Sequence, residues 1–503
     1  MQGFTKIDLA ILVIYLAAVL FAGLHFAKKE MKGKEYFKSD GTVPWWVTSV
    51  SIFATLLSPI SFLSLAGNSY SGTWIMWFAQ LGMLLAIPLT IKFFLPIYSK
   101  LDIDTAYHYL ELRFQSKGLR ILGAVMFIIY QVGRMSIIMY LPCMVLGSLT
   151  GISVNLLIII MGLIAIIYSY TGGLKSVLWT DFIQGSVLLI GVTCGLVFLI
   201  AHIDGGIGAI FHEFTAGNKF LAADQPIFNA NILKDSVFLL IVGAGFNTMG
   251  SYVSSQDIVQ RFTTTTDTKK LNKMMLANGG LSIFIATVFY LIGTGLYVFY
   301  QVQGNPLPPA AQQDQIFASW IAFELPVGVT GLLLAAIYAA AQSTLSTGLN
   351  SVAASWTLDI QARVSKKELS MEKQTKIGQY VSLIVGIFSI VVAIVLANGG
   401  VKSAYEWFNG FMGLVLGILV GTFILGAFTK VANTFGATLA FIAASAVMIG
   451  IKYFAPAGAV SIWSYSIISI AVSLVVGIPA SLIWRKVKGD TTKPAPHTTI
   501  YRD

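Results

Sequence analysis

The chain has 503 residues, 56% hydrophobic and 11% charged, with a mean hydropathy of +0.78. That composition excludes a soluble globular domain and leaves an integral membrane protein. The formal net charge of +10 does not point to nucleic acid, because the basic residues sit in short loops between apolar runs. Cys143 and Cys194 both lie inside apolar runs, so no disulfide framework is expected. The N-terminus has no basic region ahead of its first apolar run, so a retained helix is expected there, not a signal peptide.

Thirteen apolar spans are predicted. They lie near residues 8–27, 44–70, 74–98, 121–148, 152–170, 176–201, 236–258, 275–300, 318–358, 378–398, 404–428, 434–454 and 461–484. The ninth includes a lead-in and a cytoplasmic extension. Lysine and arginine set the orientation. Twenty-five of them, Arg261 included, fall in one alternating set of loops and the C-terminal tail, against five in the other set. This places the N-terminus outside and the C-terminus in the cytoplasm of a multi-pass cell-membrane protein. Residues 202–235 and 301–317 are then external. The second stretch, rich in Pro and Gln, reads as a loop.

Span two carries Thr55-Leu56-Leu57-Ser58-Pro59-Ile60-Ser61 at its centre. Pro59 lacks an N–H and clashes with the preceding turn, so carbonyls near Ala54 and Thr55 lose their helical partners. In lipid they need protein, water or an ion instead; a plain proline kink is the alternative. Span seven reads Val242-Gly243-Ala244-Gly245-Phe246-Asn247-Thr248-Met249-Gly250, which suggests a second interruption. Close helix packing through small residues is the alternative there. The two spans are five apart and run in opposite directions, as two inverted five-helix repeats would. The expected division is 1–43 as an extra N-terminal helix and cytoplasmic loop, 44–201 as the first repeat, and 202–235 as an external segment. Residues 236–428 follow as the second repeat and 429–503 as two extra helices and a tail.

Arg134 lies mid-way along span four. A charge at that depth costs roughly 2.5–3.5 kcal/mol on insertion scales. Acidic residues at similar depth are scarce, so a carboxylate ligand held by paired guanidinium N–H groups is favoured over an ion pair with another span. Gln80 in span three adds a candidate amide contact, although a lone buried Gln is also common helix–helix glue. Asp181 lies about 9 Å in from the cytoplasmic end of span six at 1.5 Å per residue. It suggests a cation or proton site, with a salt bridge to Lys175 as the alternative. Span nine carries Gln342-Ser343-Thr344-Leu345-Ser346-Thr347-Gly348-Leu349-Asn350-Ser351. Any one hydroxyl there is explained by a bond to its own helix. Four within five residues suggest neutral oxygens for Na⁺, facing the carbonyls freed in span two.

Span nine, the Tyr170-Thr171-Gly172-Gly173-Leu174…Trp179-Thr180-Asp181…Gln184-Gly185 run of span six and the broken span two together resemble the sodium solute symporter family. The likeness covers most of the chain. It implies an all-α membrane fold with a LeuT-like inverted-repeat core of five plus five helices, one extra helix before it and two after it. It implies a first sodium site from the carbonyls of Ala54, Leu57 and Ala340 and the hydroxyls of Ser343 and Thr344. Arg134, Gln80, Ser58 and Ser61 look most like the sialic acid branch, where the arginine holds the sugar acid's carboxylate. That branch's second sodium site maps onto Asp181, Ser343, Ser346 and Thr347. Three departures stand out, one being Ser61 in the place of a threonine. The Ser-Thr-Leu-Ser-Thr run replaces Ser-Ser-x-Ser-Ser with hydroxyls kept, and Leu56 replaces the first substrate hydroxyl on the broken helix.

The function expected is sodium-coupled symport of a carboxylate-bearing solute, foremost sialic acid (N-acetylneuraminate), by alternating access, with two sodium sites. The nearest alternative is a symporter for a monocarboxylate, proline or pantothenate. A sensor on the same core would need an appended signalling domain, for which Arg485–Asp503 is too short. No enzyme is expected, since the five histidines are scattered with no metal spacing. The expected partners are a small anionic solute, sodium ions and the bilayer, with no nucleic acid, and a monomer is compatible with all of this.

Overall fold

The computed structural model describes residues 5–26, 34–39, 41–217, 219–222, 225–231, 233–307, 315–365, 368–399, 404–456, 458–489 and 493–501. Part of the expected external loop, residues 308–314, lies outside them. Among the described residues every regular element is helical, which is how a chain in lipid satisfies its own backbone. Among the described residues ten helices are long and apolar enough to cross a membrane, or eleven with the bent pair Trp45–Leu56 and Pro59–Ser71 counted as one span. Two shorter apolar helices, Val154–Tyr170 and Leu414–Phe428, stand in two further predicted intervals.

Side-chain placement follows the membrane, not the rule of soluble helices. In Met371–Asn398 the large residues Tyr380, Ile384, Phe388, Val391 and Val395 face outward. Gly378, Ser382, Gly386, Ser389 and Ala393 face inward. Large residues meet the lipid, while small ones let backbones approach closely. Val329–Ala354 is buried along almost its whole length and packs on the helices between Val154 and His202. It is the central element against which the site is built.

The break in span two is as expected. Trp45–Leu56 and Pro59–Ser71 meet at 64°, with Leu57 and Ser58 extended between them. Ser58 caps the second half, its hydroxyl accepting from Ser61 N at 3.3 Å, and Pro59 takes the first helical position, where no N–H is needed.

Span seven is not interrupted where its glycines lie. Val237–Ser254 is a continuous helix, and the chain breaks later, at Ser255 (φ −89°, ψ 117°), before the short helix Gln256–Phe262. The glycines serve close packing. A Cβ on Gly82 would stand 2.5 Å from the Gly245 nitrogen, and one on Gly243 would stand 2.2 Å from the Trp463 carbonyl oxygen. Gly173 has a different role. At φ 57° it turns the chain between Val154–Tyr170 and Gly172–His202, with Tyr36 packed where a Cβ would go.

The segment 202–235 is tied to the broken helix. Lys219 Nζ donates to the carbonyls of Tyr70 (2.8 Å), Gly72 (3.1 Å) and Ser69 (3.4 Å) at the end of Pro59–Ser71. It also lies 3.6 Å from the Tyr297 ring centroid. A cation on a helix C-terminus and an aromatic face is favoured twice. Burial lowers its ammonium pKa to about 8.

Candidate functional site

The freed carbonyls of span two are met by protein donors. Ser343 Oγ donates to Ala54 O at 2.9 Å and lies 3.3 Å from Ala340 O, which also accepts from Thr344 Oγ1 at 3.0 Å. Ala54, Ala340, Ser343 and Thr344 are all buried. Leu57 sits at the break itself, its N–H still bonded to Phe53 O at 3.0 Å. Four of the five expected first-site residues are therefore in mutual contact, with the fifth at the bend. The set offers only neutral oxygens, which suit a hard monovalent cation once the two hydroxyls turn their protons away.

On the other side of the break lies a cavity of about 240 Å³. Ser58, Ser61 and Gln80 line it, as expected, and so does Leu56. Asn247, Thr248, Ser282 and Trp463 complete its polar and aromatic wall. Asn247 and Thr248 are the polar pair of span seven, so the signal there was of a pocket wall and not of a break. Trp463 comes from the last helical hairpin and had no sequence signal. Arg134 is not among the lining residues.

The structure departs from expectation at Arg134. Its Nη1 donates to Asp257 Oδ2 at 2.5 Å and its Nη2 to Thr55 O at 2.6 Å. The guanidinium thus has a protein anion. Asp257 lies at the end of predicted span seven, and the break at Ser255 turns it into the bundle, where Ser255 Oγ also donates to it. Arg134 Nε is buried with no partner among the described residues. It also braces a carbonyl of the break, so it stands behind the pocket through Thr55.

Asp181 shows a second departure. Its Oδ2 accepts from Ser51 Oγ (2.6 Å), Arg261 Nη2 (2.8 Å) and Thr347 Oγ1 (3.1 Å); its Oδ1 takes only a 3.4 Å contact from Ser346 Oγ. Asp181, Ser346 and Thr347 are brought together as expected, and Ser346 Oγ reaches Ser343 O at 3.1 Å. The partner is Arg261, not Lys175, whose ammonium donates to Thr42 Oγ1 at 2.7 Å. Arg261, counted with the cytoplasmic loops, is fully buried. It donates to Thr347 Oγ1 at 2.5 Å, to Ser51 Oγ at 2.9 Å and to the Asp257 carbonyl one turn back. Arg134, Asp257, Arg261 and Asp181 form one buried row of alternating charge with zero net charge. Each charge is tolerable in lipid because its neighbour offsets it.

The pattern of the Sodium:solute symporter family matches residues 36–444. The chain belongs to that family. Curated relatives include the sodium/sialic acid symporter SiaT of Proteus mirabilis, 34% identical over 90% of this chain and 91% of that protein. Another is the sodium/sialic acid symporter NanT of Aliivibrio fischeri, 31% identical over 95% and 93%. A solved structure of a Na⁺-coupled sialic acid symporter, substrate-bound and outward-open, superposes with a TM-score of 0.88 at 33% identity, covering 96% of this chain and 98% of that one. The transporter Mhp1 shares the fold alone, with a TM-score of 0.60 at 15% identity. The LeuT-like helical architecture expected of this symporter is therefore that of solved transporters, and its relatives are transporters and not enzymes. Among its described residues no group of three or more His, Cys, Asp and Glu is placed to hold a metal ion.

Within the first set, Ser343→Ala should remove both of that hydroxyl's contacts while leaving Thr344 in place. A hydroxyl to one buried carbonyl is worth about 1 kcal/mol of stability. The apparent sodium affinity should fall by about tenfold or more. A sodium titration of the melting temperature checks this; an unshifted midpoint would remove Ser343 from the site.

Proposed function

We propose that the chain carries sialic acid into the cell together with sodium ions, by alternating access. The observation that carries this is the break at Leu57–Ser58, where Ser343 and Thr344 meet the Ala54 and Ala340 carbonyls on one side and Ser58, Ser61 and Gln80 line a cavity on the other. An ion bound by the first set would pull the two half-helices and Val329–Ala354 into one geometry. That geometry fixes the Ser58 and Ser61 hydroxyls on the pocket wall. Solute affinity then rises with sodium and, by linkage, sodium affinity rises with solute. The carboxylate goes to Arg134, entering through the buried Nε–H and displacing or sharing Asp257. Each sodium ion contributes about 2.3 kcal/mol per 100 mV of membrane potential.

This reading takes residues 44–201 and 236–428 as inverted five-helix units of a thirteen-span monomer, with the N-terminus outside. Leu56 favours a second reading, in which the cargo is a carboxylate with fewer hydroxyls, because an apolar wall stands where the sialic acid branch carries a hydroxyl. Uptake of labelled N-acetylneuraminate into proteoliposomes tests both. Accumulation with an inward Na⁺ gradient, and none when K⁺ replaces it, is the expected result. Sodium-dependent uptake of a monocarboxylate, with none of N-acetylneuraminate, would keep the sodium coupling and overturn the cargo.

A further inference from the structure

A buried arginine that transport leaves unused lies beside the C-terminal tail. A cavity of about 470 Å³ opens between the Ala106–Phe114 helix, the start of Thr434–Phe454 and the C-terminal tail. Arg113 lines it and is 3% exposed. Its guanidinium donates to the carbonyls of Thr429 (2.6 Å), Gly426 (2.7 Å) and Ala432 (3.1 Å), which cap the end of Ala404–Phe428. Those bonds hold the group in place, but no carboxylate among the described residues offsets its charge. Burial lowers the Arg113 pKa, and Arg485 nearby pushes it the same way. Lys493 lines the same cavity from the tail, with its side chain exposed. Among the described lining residues there is no Asp or Glu.

The outer wall fixes the level of the site. Phe435 and Trp484 stack at 4.4 Å, and Phe435 is 41% exposed on the apolar flank. A Trp with an exposed aromatic beside a lysine marks the boundary between hydrocarbon and headgroups. Thr438 lines the same wall, its hydroxyl donating to the Thr434 carbonyl of its own helix at 2.8 Å. The tail that supplies Lys493 is strapped beneath the bundle, with Ile500 N on Ala427 O (3.0 Å) and Tyr109 OH on Thr498 O (3.0 Å).

We propose that this cavity binds a phosphate-bearing anion, with Arg113 and Lys493 supplying the charge. Charge-assisted N–H groups against phosphate oxygens are the strong form of this contact. Basic pockets between helices at the membrane face are suited to anionic headgroups. The cavity is far larger than a phosphate ion and borders lipid, which fits a phospholipid headgroup. The proposal is independent of the cargo.

The purified full chain in detergent is titrated with phosphatidylglycerol, phosphatidylcholine and inorganic phosphate, reading bound mass by native mass spectrometry and melting temperature. Phosphatidylglycerol should remain bound and raise the melting temperature, while phosphatidylcholine should do neither. Lys493→Gln should bind it about tenfold more weakly, the weight of one charge-assisted contact. Lys376→Gln, an exposed site elsewhere with the same charge change, should not. Arg113 is left intact because it caps a helix. Equal protection by inorganic phosphate would assign the site to a soluble phosphate. Equal lipid binding by wild type and Lys493→Gln would overturn the proposal, as would no binding of either anion.

Discussion

Arg134→Lys should give a folded symporter that takes up its solute far more slowly than the wild type. Lysine keeps the charge opposite Asp257 but loses the planar fork that grips a carboxylate through two N–H groups. Losing one charge-assisted hydrogen bond, worth about 1.5–3 kcal/mol, should lower uptake at subsaturating solute by about tenfold to a hundredfold. Arg134→Ala is a harsher change. It strands Asp257 as an unpaired buried carboxylate, which costs about 3–5 kcal/mol, and it releases the Thr55 carbonyl at the break. Loss of uptake in that variant would therefore mix chemistry with misfolding. The double variant Arg134→Met/Asp257→Leu separates them, because replacing a buried pair by apolar residues of similar volume is often neutral for stability. It should fold, keep a sodium-dependent shift in melting temperature, and fail to transport. Transport at the wild-type rate by the double variant would remove Arg134 as the carboxylate anchor.

Much of this site was legible in the sequence, because lipid raises the cost of anything irregular. Pro59 within an apolar run forced a break, and the hydroxyl run of span nine marked its partner. What could not be read was the direction of the polar residues near the ends of spans. Asp257 and Arg261 occur in Ser255-Gln256-Asp257-Ile258-Val259-Gln260-Arg261, a stretch that looks like the exit of a helix into a basic loop. The break at Ser255 has neither Pro nor Gly to announce it, yet it turns both charges inward. A glycine-rich stretch, by contrast, announced a break that was not there. Gly82, Gly243 and Gly245 are small because neighbouring backbones come within contact distance. Spacing in the sequence records the need for a small residue, but not which of the two reasons applies.

Asp181→Asn should reduce the sodium dependence of uptake to that of a single ion. The carboxylate has two unequal oxygens. Oδ2 is saturated by Ser51, Arg261 and Thr347, while Oδ1 takes one long contact from Ser346. A second sodium ion is therefore expected on the Oδ1 side, near the Ser346 and Ser343 oxygens, with Arg261 kept on the other edge. Neutralising Asp181 removes the one formal charge on that edge and also strands Arg261, at a cost of about 3–5 kcal/mol. Two companion variants isolate the ion from the fold. Ser346→Ala leaves the Asp181–Arg261 pair intact and should still weaken the sodium dependence. Arg261→Gln removes a cation that competes for the carboxylate's field, so the apparent sodium affinity should rise even as stability falls. The readouts are the Hill slope for sodium and the ratio of charge to solute moved in proteoliposomes. In Asp181→Asn the ratio should drop by one charge per cycle. An unchanged ratio in that variant, with Ser346→Ala also unchanged, would leave Asp181 a structural partner of Arg261, and the second sodium ion would have to bind elsewhere.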